Sequence, residues 1–438
     1  MMRIEQYLSL HARRQPSKVA VVCGDKRLTY AELDAAVTER AAHYADRKHR
    51  AVLMRSTQDE RFLIDYLAIH RAGAVAVPLE KDAPDELLHK LEDQMGQKEM
   101  PGDIADVLYT TGTTGRSKAV MVSHRAIWAN GDNLRQAQGF NADVAFVVCG
   151  PLNHIGCLSK FYPVLMTGGT AIIVDSLRDL PTFYSALDFP SERLATFLVP
   201  ASIRMLMALS ARRLAAYADR MAFIETGAAP LSKGDMLKLS ELLPHTHLFN
   251  TYASTETGII ATFDFSQGHC EEGCLGHAMP HSKFFITPEG TIACQGDTLM
   301  SGYLDDEERT HEVLRDGTLY TSDLGSIDAE GCLHLTGRQG DTINTGGLKV
   351  DPTEVESVAL EHPDVADCIC VAASHPLMGH VLRLIVACRP GHQLDKQSLA
   401  RFIASRLERY KVPLYYEQVD HVLRTYNGKL DRKAYAEK

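Results

Sequence analysis

The sequence predicts an α/β protein with a large N-terminal domain of parallel-rich sheets covered by helices, followed by a small α+β C-terminal domain. Strand-like and helix-like segments alternate through most of the chain, which implies parallel sheet with helices on its faces. At 438 residues the chain exceeds what one hydrophobic core usually serves. The texture also changes around residues 328–350, where "DAEGCLHLTGRQGDTINTGGLKVDP" carries five glycines between short strands and turns.

Taken in order, residues 4–14 form a short amphipathic helix that ends near Pro16. "VAVVCGDKRLTY" reads as two strands around a Gly-Asp turn. Thr29 and Glu32 have capping-box spacing and open a helix through "ELDAAVTERAAHYA". "AVLM" is a buried strand, "DERFLIDYLAIHRAG" a helix closed by Gly73, and "AVAVPLE" another strand. Alternation continues through "VAFVVCGPL", "LSKFYPVLMTGG", "TAIIVD", "ATFLVP", "SIRMLMALSARRLAAYA" and "AFIETGAAP". In open sheets of this kind ligands sit on loops beyond the strands' carboxyl ends. "IADVLYTTGTTG" places such a loop after a strand at 104–109. A domain boundary falls near Arg338–Asp341, giving domains 1–338 and 339–438. The second has helix "PTEVESVALEHP", strands "ADCICVAAS" and "LRLIVACRP", helix "DKQSLARFIASRLERYKVP" and strand "YEQVDHVL".

Composition narrows the function classes. With 45% apolar and 23% charged residues the chain is an ordinary globular protein. A formal charge of −10 argues against general affinity for nucleic acid or anionic membrane. Ten cysteines without a regular framework suit a reduced cytosolic protein. The first residues lack the apolar core of a secretory signal, and no apolar run reaches the roughly 20 residues of a membrane span. A cytoplasmic protein is therefore expected, with the oligomeric state left open.

The stretch "YTTGTTGRSKAV" (109–120) lacks apolar periodicity and is rich in glycine, short hydroxyls and cations. Backbone N–H groups among small residues converge on anions, and phosphate is the natural guest. The kinase-type pattern G-x-x-x-x-G-K-[ST] does not match it, and composition alone leaves phosphate binding and a polar surface turn both open. Other segments decide between them. "FNTYASTETG" (249–258), "GTLYTSDLG" (317–325), "LTGRQGDTINTGGLKVDPTEVE" (335–356) and "TYNGKLDRKAY" (425–435) follow in order. With the threonine-rich loop, these five segments resemble the motifs of the adenylate-forming superfamily. That superfamily comprises acyl- and aryl-CoA ligases, peptide-synthetase adenylation domains and luciferases.

The resemblance implies a reaction in which a carboxylate attacks the α-phosphate of ATP and a thiol then displaces AMP. Bringing two anions together calls for positive charge and pre-aimed donors. By resemblance, Thr110, Thr111, Gly112, Thr113, Thr114, Gly115 and Lys118 hold the β- and γ-phosphates. Thr255 contacts the α-phosphate and Glu256 coordinates Mg²⁺. Asp323 accepts the ribose hydroxyls with Arg338 nearby, and Tyr252 stacks on adenine opposite "TGAAP", including Ala228, Ala229 and Pro230. Lys429 bridges carboxylate and α-phosphate. The C-terminal domain is expected to be mobile, swinging about Gly340, after which "TGGLK" (345–349) lines the thiol's approach. Without the resemblance each residue has an ordinary structural role: a turn aspartate, a cap, a core tyrosine, a solvated lysine.

Amino-acid-activating relatives usually place an aspartate after the phosphate loop. "CGPLNHIGCLSKFY" (149–162) holds no acidic residue, which argues against an α-amino acid. It resembles the Pro-Leu-x-His segment of CoA ligases, making His154 a gate or wall. The acyl pocket is expected from His154, Ile155, Cys157, Leu158, Phe161, Thr226, Gly227 and Ala253. Ala253 stands where many relatives have glycine, which favours a small or medium acid. About 28 residues separate "AVAVPLE" from the phosphate loop, fewer than in relatives, so a βα unit is expected to be missing. Ser322, Leu423 and Asn344 also depart from the family pattern. "HCEEGCLGH" (269–277) lacks the spacing of a zinc site and aligns with an ordinary strand entry.

The expected partners are a small carboxylic acid, ATP with Mg²⁺, and CoA as acceptor. A carrier-protein phosphopantetheine is the alternative acceptor. A nucleotide-binding module without turnover is the third reading.

Overall fold

A computed structural model describes residues 1–110, 118–177, 179–341, 343–345, 348–376, 379–425 and 429–435. Parallel strands form the centre of the large lobe. Val19–Cys23, Thr170–Ile173, Val144–Val148, Arg193–Phe197, Met221–Gly227 and His247–Ser254 lie side by side, each parallel to its neighbours. Val144–Val148 and Thr170–Ile173 are buried at every position, as strands covered on both faces must be. The sheet then continues antiparallel through Gly258–Asp264 and Cys274–Ala278 to Leu333–Arg338, Thr318–Ile327, Thr291–Gly296 and Ser282–Ile286.

A second sheet carries the stem of the threonine-rich loop. Its order is Gly302–Tyr303, Lys118–Ser123, Ile104–Thr110, Val75–Leu79 and Ala51–Arg55. The helix Asp85–Met95 crosses between Val75–Leu79 and Ile104–Thr110, so the short connection still holds one complete βα unit. Thr29 and Glu32 form the expected capping box on the helix Tyr30–Ala41. Gly73 closes the helix Glu60–Arg71 at φ +73°, a left-handed conformation that favours glycine. The segment "LSKFYPVLMTGG" forms two short helices, Ile155–Leu158 and Phe161–Thr167. The helix Pro200–Ala215 bends at Ser210, whose hydroxyl bonds back to the Leu206 carbonyl.

The last strand of the large sheet ends at Arg338, and the first strand of the small lobe begins at Ile343. Here Leu348–Val350, Ile343–Thr345, Gly379–Cys388 and Val365–His375 pair antiparallel, with Tyr415–Val419 parallel to Gly379–Cys388. A separate core, including Val355, Cys368, Leu384 and Ile403, lies against the helices Pro352–Leu360 and Lys396–Ala404. Burying each such aliphatic side chain stabilises by about 1.5–3 kcal/mol. At Gly337 the lobes meet closely: a Cβ there would stand 1.8 Å from Asp351 Oδ2.

Candidate active site

A cavity of about 830 Å³ opens between the two lobes. Strand geometry aims most of its walls. Ile104–Thr110 and Lys118–Ser123 form a hairpin in which Thr110 pairs with Lys118, so both flank the threonine-rich loop. Thr111, Gly112, Thr113, Thr114 and Gly115 lie outside the described residues. Next to this hairpin, Ser254 and Thr257 bond each other reciprocally at 3.0 Å through backbone N–H and hydroxyl. That closed turn presents Thr255 and Glu256 to the cavity.

Tyr303 ties these parts together. Its hydroxyl donates to Glu256 Oε1 at 3.1 Å and receives Lys118 Nζ at 3.3 Å. Lys118 Nζ also stands 4.0 Å from Glu256 Oε1 and 5.1 Å from the centre of the tyrosine ring. Desolvation lowers the Lys118 pKa; Glu256 opposes this, and Arg309 and Arg338 add to it. Tyr303 was not among the residues picked from the sequence. Its signal was weak, because its only local mark is the two-residue strand Gly302–Tyr303 paired with Lys118–Ser123.

A second group lies across the cavity. Thr318–Ile327 and Leu333–Arg338 form a hairpin that sets Asp323 directly opposite Arg338. Tyr252 donates to Asp323 Oδ2 at 2.7 Å, and Arg338 Nε lies 3.3 Å from Asp323 Oδ1. Arg338 Nε also donates to Ser322 Oγ at 3.1 Å, a bond the usual glycine could not make. Asp323 thus sits in a strand and not in a turn. Ala228, Ala229 and Pro230 follow Met221–Gly227, and Ala228 holds φ +67°, an uncommon conformation for a residue with a side chain.

Lys429 comes from the small lobe and lines the same cavity as Glu256, Asp323 and Arg338. Desolvation lowers its pKa, Arg338 lowers it further, and Asp323 and Glu256 raise it. Desolvation also pushes His154 down to about 4, with Lys429 adding to the effect. His154 is therefore a neutral imidazole near pH 7.

Of the residues expected to form an acyl pocket, His154, Ile155, Cys157, Gly227 and Ala253 line the cavity. Leu158, Phe161 and Thr226 do not. Leu158 and Phe161 are fully buried in the main core because the helical turn after His154 points them inward. Thr226 faces away from the cavity beside Gly227, as alternation along a strand requires. A Cβ on Gly227 would stand 2.7 Å from the Thr251 carbonyl, so only glycine fits there. Two further wall residues were missed from the sequence: Lys160 and Glu225, which form a buried ion pair with Nζ 2.7 Å from both carboxylate oxygens.

Gly340 lies outside the cavity, in the connection between the lobes. It holds φ +91° with open space where a Cβ would stand. Among the described residues of "HCEEGCLGH" and its surroundings, Glu271, Cys274 and His334 could bring three donor atoms together. Cys274–Ala278 is a strand of the large sheet, as the alignment with a strand entry requires. Among the described residues no helix is long and apolar enough to cross a membrane.

Two lobes around a cleft of cations and carboxylates, beside the stem of the threonine-rich loop, define an adenylate-forming type of enzyme. Residues 8–98 and 85–304 match the AMP-binding enzyme family, and 354–429 match the AMP-binding enzyme C-terminal domain. The chain belongs to the AMP-binding enzyme family. Indoleacetate–CoA ligase of Aromatoleum aromaticum is 26% identical over 503 aligned residues, covering 98% of this chain and 96% of the relative. Feruloyl-CoA synthase of an Amycolatopsis species is 27% identical, with 96% and 95% covered. ATP-bound MatB from Rhodopseudomonas palustris shares the fold at TM-score 0.88 and 24% identity, covering 99% of both chains.

Proposed function

We propose that this protein is an ATP-dependent acid–thiol ligase that activates a carboxylic acid as acyl-AMP and transfers the acyl group to CoA. The observation that carries the proposal is Lys429, a small-lobe amine standing among Glu256, Asp323 and Arg338 of the large lobe. The CoA-ligase names of the relatives support the same class.

In the first step a carboxylate oxygen bonds to the α-phosphorus, the α–β anhydride breaks, and pyrophosphate leaves. Lys429 lies where it can neutralise both anions as they meet, and its lowered pKa reflects the desolvation that strengthens such a contact. Lys118, held by Tyr303, and the threonine-rich loop bind the departing phosphates. Thr255 contacts the α-phosphate. Asp323, with two lone-pair-rich oxygens steered by Tyr252 and Arg338, takes the ribose hydroxyls, and adenine lies between Tyr252 and Ala228–Pro230. Glu256 offers a hard carboxylate, one-fifth exposed, with one oxygen engaged by Tyr303, which fits Mg²⁺. The ion, when bound, supplies charge neutralisation of the phosphates. Neutral His154 serves as a wall of the acyl site and not as a proton donor.

In the second step the thiol sulfur bonds to the acyl carbon, AMP leaves and the thiol proton passes to solvent. The chain divides at 1–338 and 339–438. The small lobe swings about Gly340, whose open surroundings and left-handed backbone let it absorb large dihedral changes.

The test is a panel of carboxylic acids assayed for acid-dependent exchange of pyrophosphate into ATP, with AMP release measured with and without CoA. Exchange plus CoA-dependent AMP release is expected. Exchange with an adenylate that CoA cannot discharge would move the acceptor to a carrier-protein phosphopantetheine. ATP binding without exchange for any acid would leave a nucleotide-binding module.

A further inference from the structure

On the strand pair that carries Arg338, thiols, an imidazole and carboxylates converge from two distant segments. Cys274 pairs directly with His334, across from Cys274–Ala278 to Leu333–Arg338. Glu271 comes from the turn before that first strand, where the Cys274 N–H donates to the Glu271 carbonyl at 3.3 Å. One donor atom each from Glu271, Cys274 and His334 lies within 4.8 Å of the other two. The Cys332 sulfur stands beside that of Cys274, near enough for the two thiols to shift each other's ionisation, and 3.4 Å from His277 Nε2. Asp328 sets this group in place. Its Oδ1 accepts the N–H groups of Glu330 and Cys332 at 2.9 Å, and its Oδ2 lies 2.8 Å from His334 Nε2. A proton on Nε2 leaves the Nδ1 lone pair free, and Nδ1 stands 3.8 Å from Glu271 Oε1, too far for a hydrogen bond.

We propose that Cys274, Cys332, His334 and Glu271 together bind one Zn²⁺ ion, with Asp328 orienting the imidazole. Two thiolates, an imidazole and a carboxylate are the donor set of tetrahedral zinc, whereas Mg²⁺ and Ca²⁺ would find too few oxygens. Bonds of ~2.0–2.3 Å put tetrahedral ligand atoms roughly 3.3–3.8 Å apart, so the cluster closes on an ion with shifts of about 1 Å. Glu271, with its side chain 62% exposed, and the half-buried Cys332 have the freedom to make them. The same two residues leave the ion a path in from solvent. Each thiol gives its proton to water as its sulfur bonds the metal. A carboxylate that holds one imidazole N–H while the other nitrogen ligates is the usual outer support of zinc, and Asp328 stands in that place. The segment 269–277 has no zinc spacing by itself because half of the ligands arrive on a neighbouring strand from much later in the chain. With every position filled by protein the ion is structural. It staples the turn before Cys274 to the strand ending at Arg338, and Glu272, Gly273, Leu335 and Arg338 all line the cavity, so the staple holds one of its rims.

The test uses the full-length, untagged protein, stripped with a chelator under reducing conditions and titrated with Zn²⁺ against a chromogenic chelator in the absence of ATP. One tight site per chain is expected. Co²⁺ in its place should show thiolate-to-metal charge-transfer absorption and the intense visible bands of a tetrahedral ion. Asp328→Asn should weaken zinc binding by about 10–100-fold, and Cys332→Ser and His334→Ala each by more than that. Stripping should lower the melting temperature of the wild type and leave that of Cys332→Ser unmoved. Because Cys274 is fully buried, the partly exposed Cys332 and His334 carry the substitutions, and circular dichroism establishes that each variant is folded. If neither folds, the wild-type cobalt spectrum and Asp328→Asn decide. A wild type that takes up no zinc overturns the proposal. So does zinc held equally well by both ligand variants, or a cobalt complex without the charge-transfer band.

Discussion

The two ends of the cleft are built on opposite electrostatic plans. Beside the threonine-rich loop and the interlobe hairpin, Lys118, Glu256, Asp323 and Arg338 are only partly buried, with side chains between 20% and 42% exposed, and each is steered by a tyrosine or serine hydroxyl. At the wall beyond His154, Lys160 and Glu225 are sealed and bind each other. Charges kept near water cost little to hold and suit a highly charged, hydrated guest. A pair taken out of water costs several kcal/mol per ion, which its mutual attraction only partly offsets.

Removing the charge that crosses between the lobes gives the largest expected effect. Lys429→Ala should slow exchange by at least about 10²–10³-fold, the usual cost of losing one transition-state donor, with ATP binding measured by calorimetry largely kept. Unchanged exchange would break the assignment. Next comes the connection. Proline cannot adopt the φ of +91° that Gly340 holds while Lys429 lines the cavity, so Gly340→Pro should disfavour this arrangement and slow exchange by about tenfold, with ATP binding kept. Unchanged exchange would show that the lobes pivot elsewhere.

The smallest effect is on stability. Burial, with His70 and Arg3 nearby, holds His124 down to about 2, and His154 is held at about 4. Unfolded, both titrate near 6.5, so the unfolded chain binds more protons below that pH. Stability is therefore full above pH 6.5 and falls as the pH drops toward 4. His70, raised by Asp106 against its own burial, has the opposite sign and loses its contribution as pH rises above 6.5. His124→Gln should flatten the acid limb of the melting temperature against pH; an unchanged slope would assign that limb to other groups.

Much of the large lobe's element order was legible because local signals agreed: the Thr29–Glu32 box, the Gly73 stop and the fully apolar strands each specify one structure. That Thr110, Lys118, Thr255, Glu256, Asp323 and Arg338 would share one cavity was legible because their motifs are contiguous in sequence. The cavity wall beyond His154 was less so. Lys160 and Glu225 lie 65 positions apart, and nothing local marks either as the other's partner. Leu158 and Phe161 were misplaced for a related reason, since the helical turn after His154 decides which neighbours face the cavity and which face the core. The helix Asp85–Met95 was missed within a connection read only for its shortness.

Tyr303 reaches Lys118 across 185 positions of chain, on a two-residue strand zipped to the stem of the threonine-rich loop. During synthesis the hairpin can pair on its own, but its edge stays open, and Lys118 lacks its tyrosine, until Tyr303 has left the ribosome.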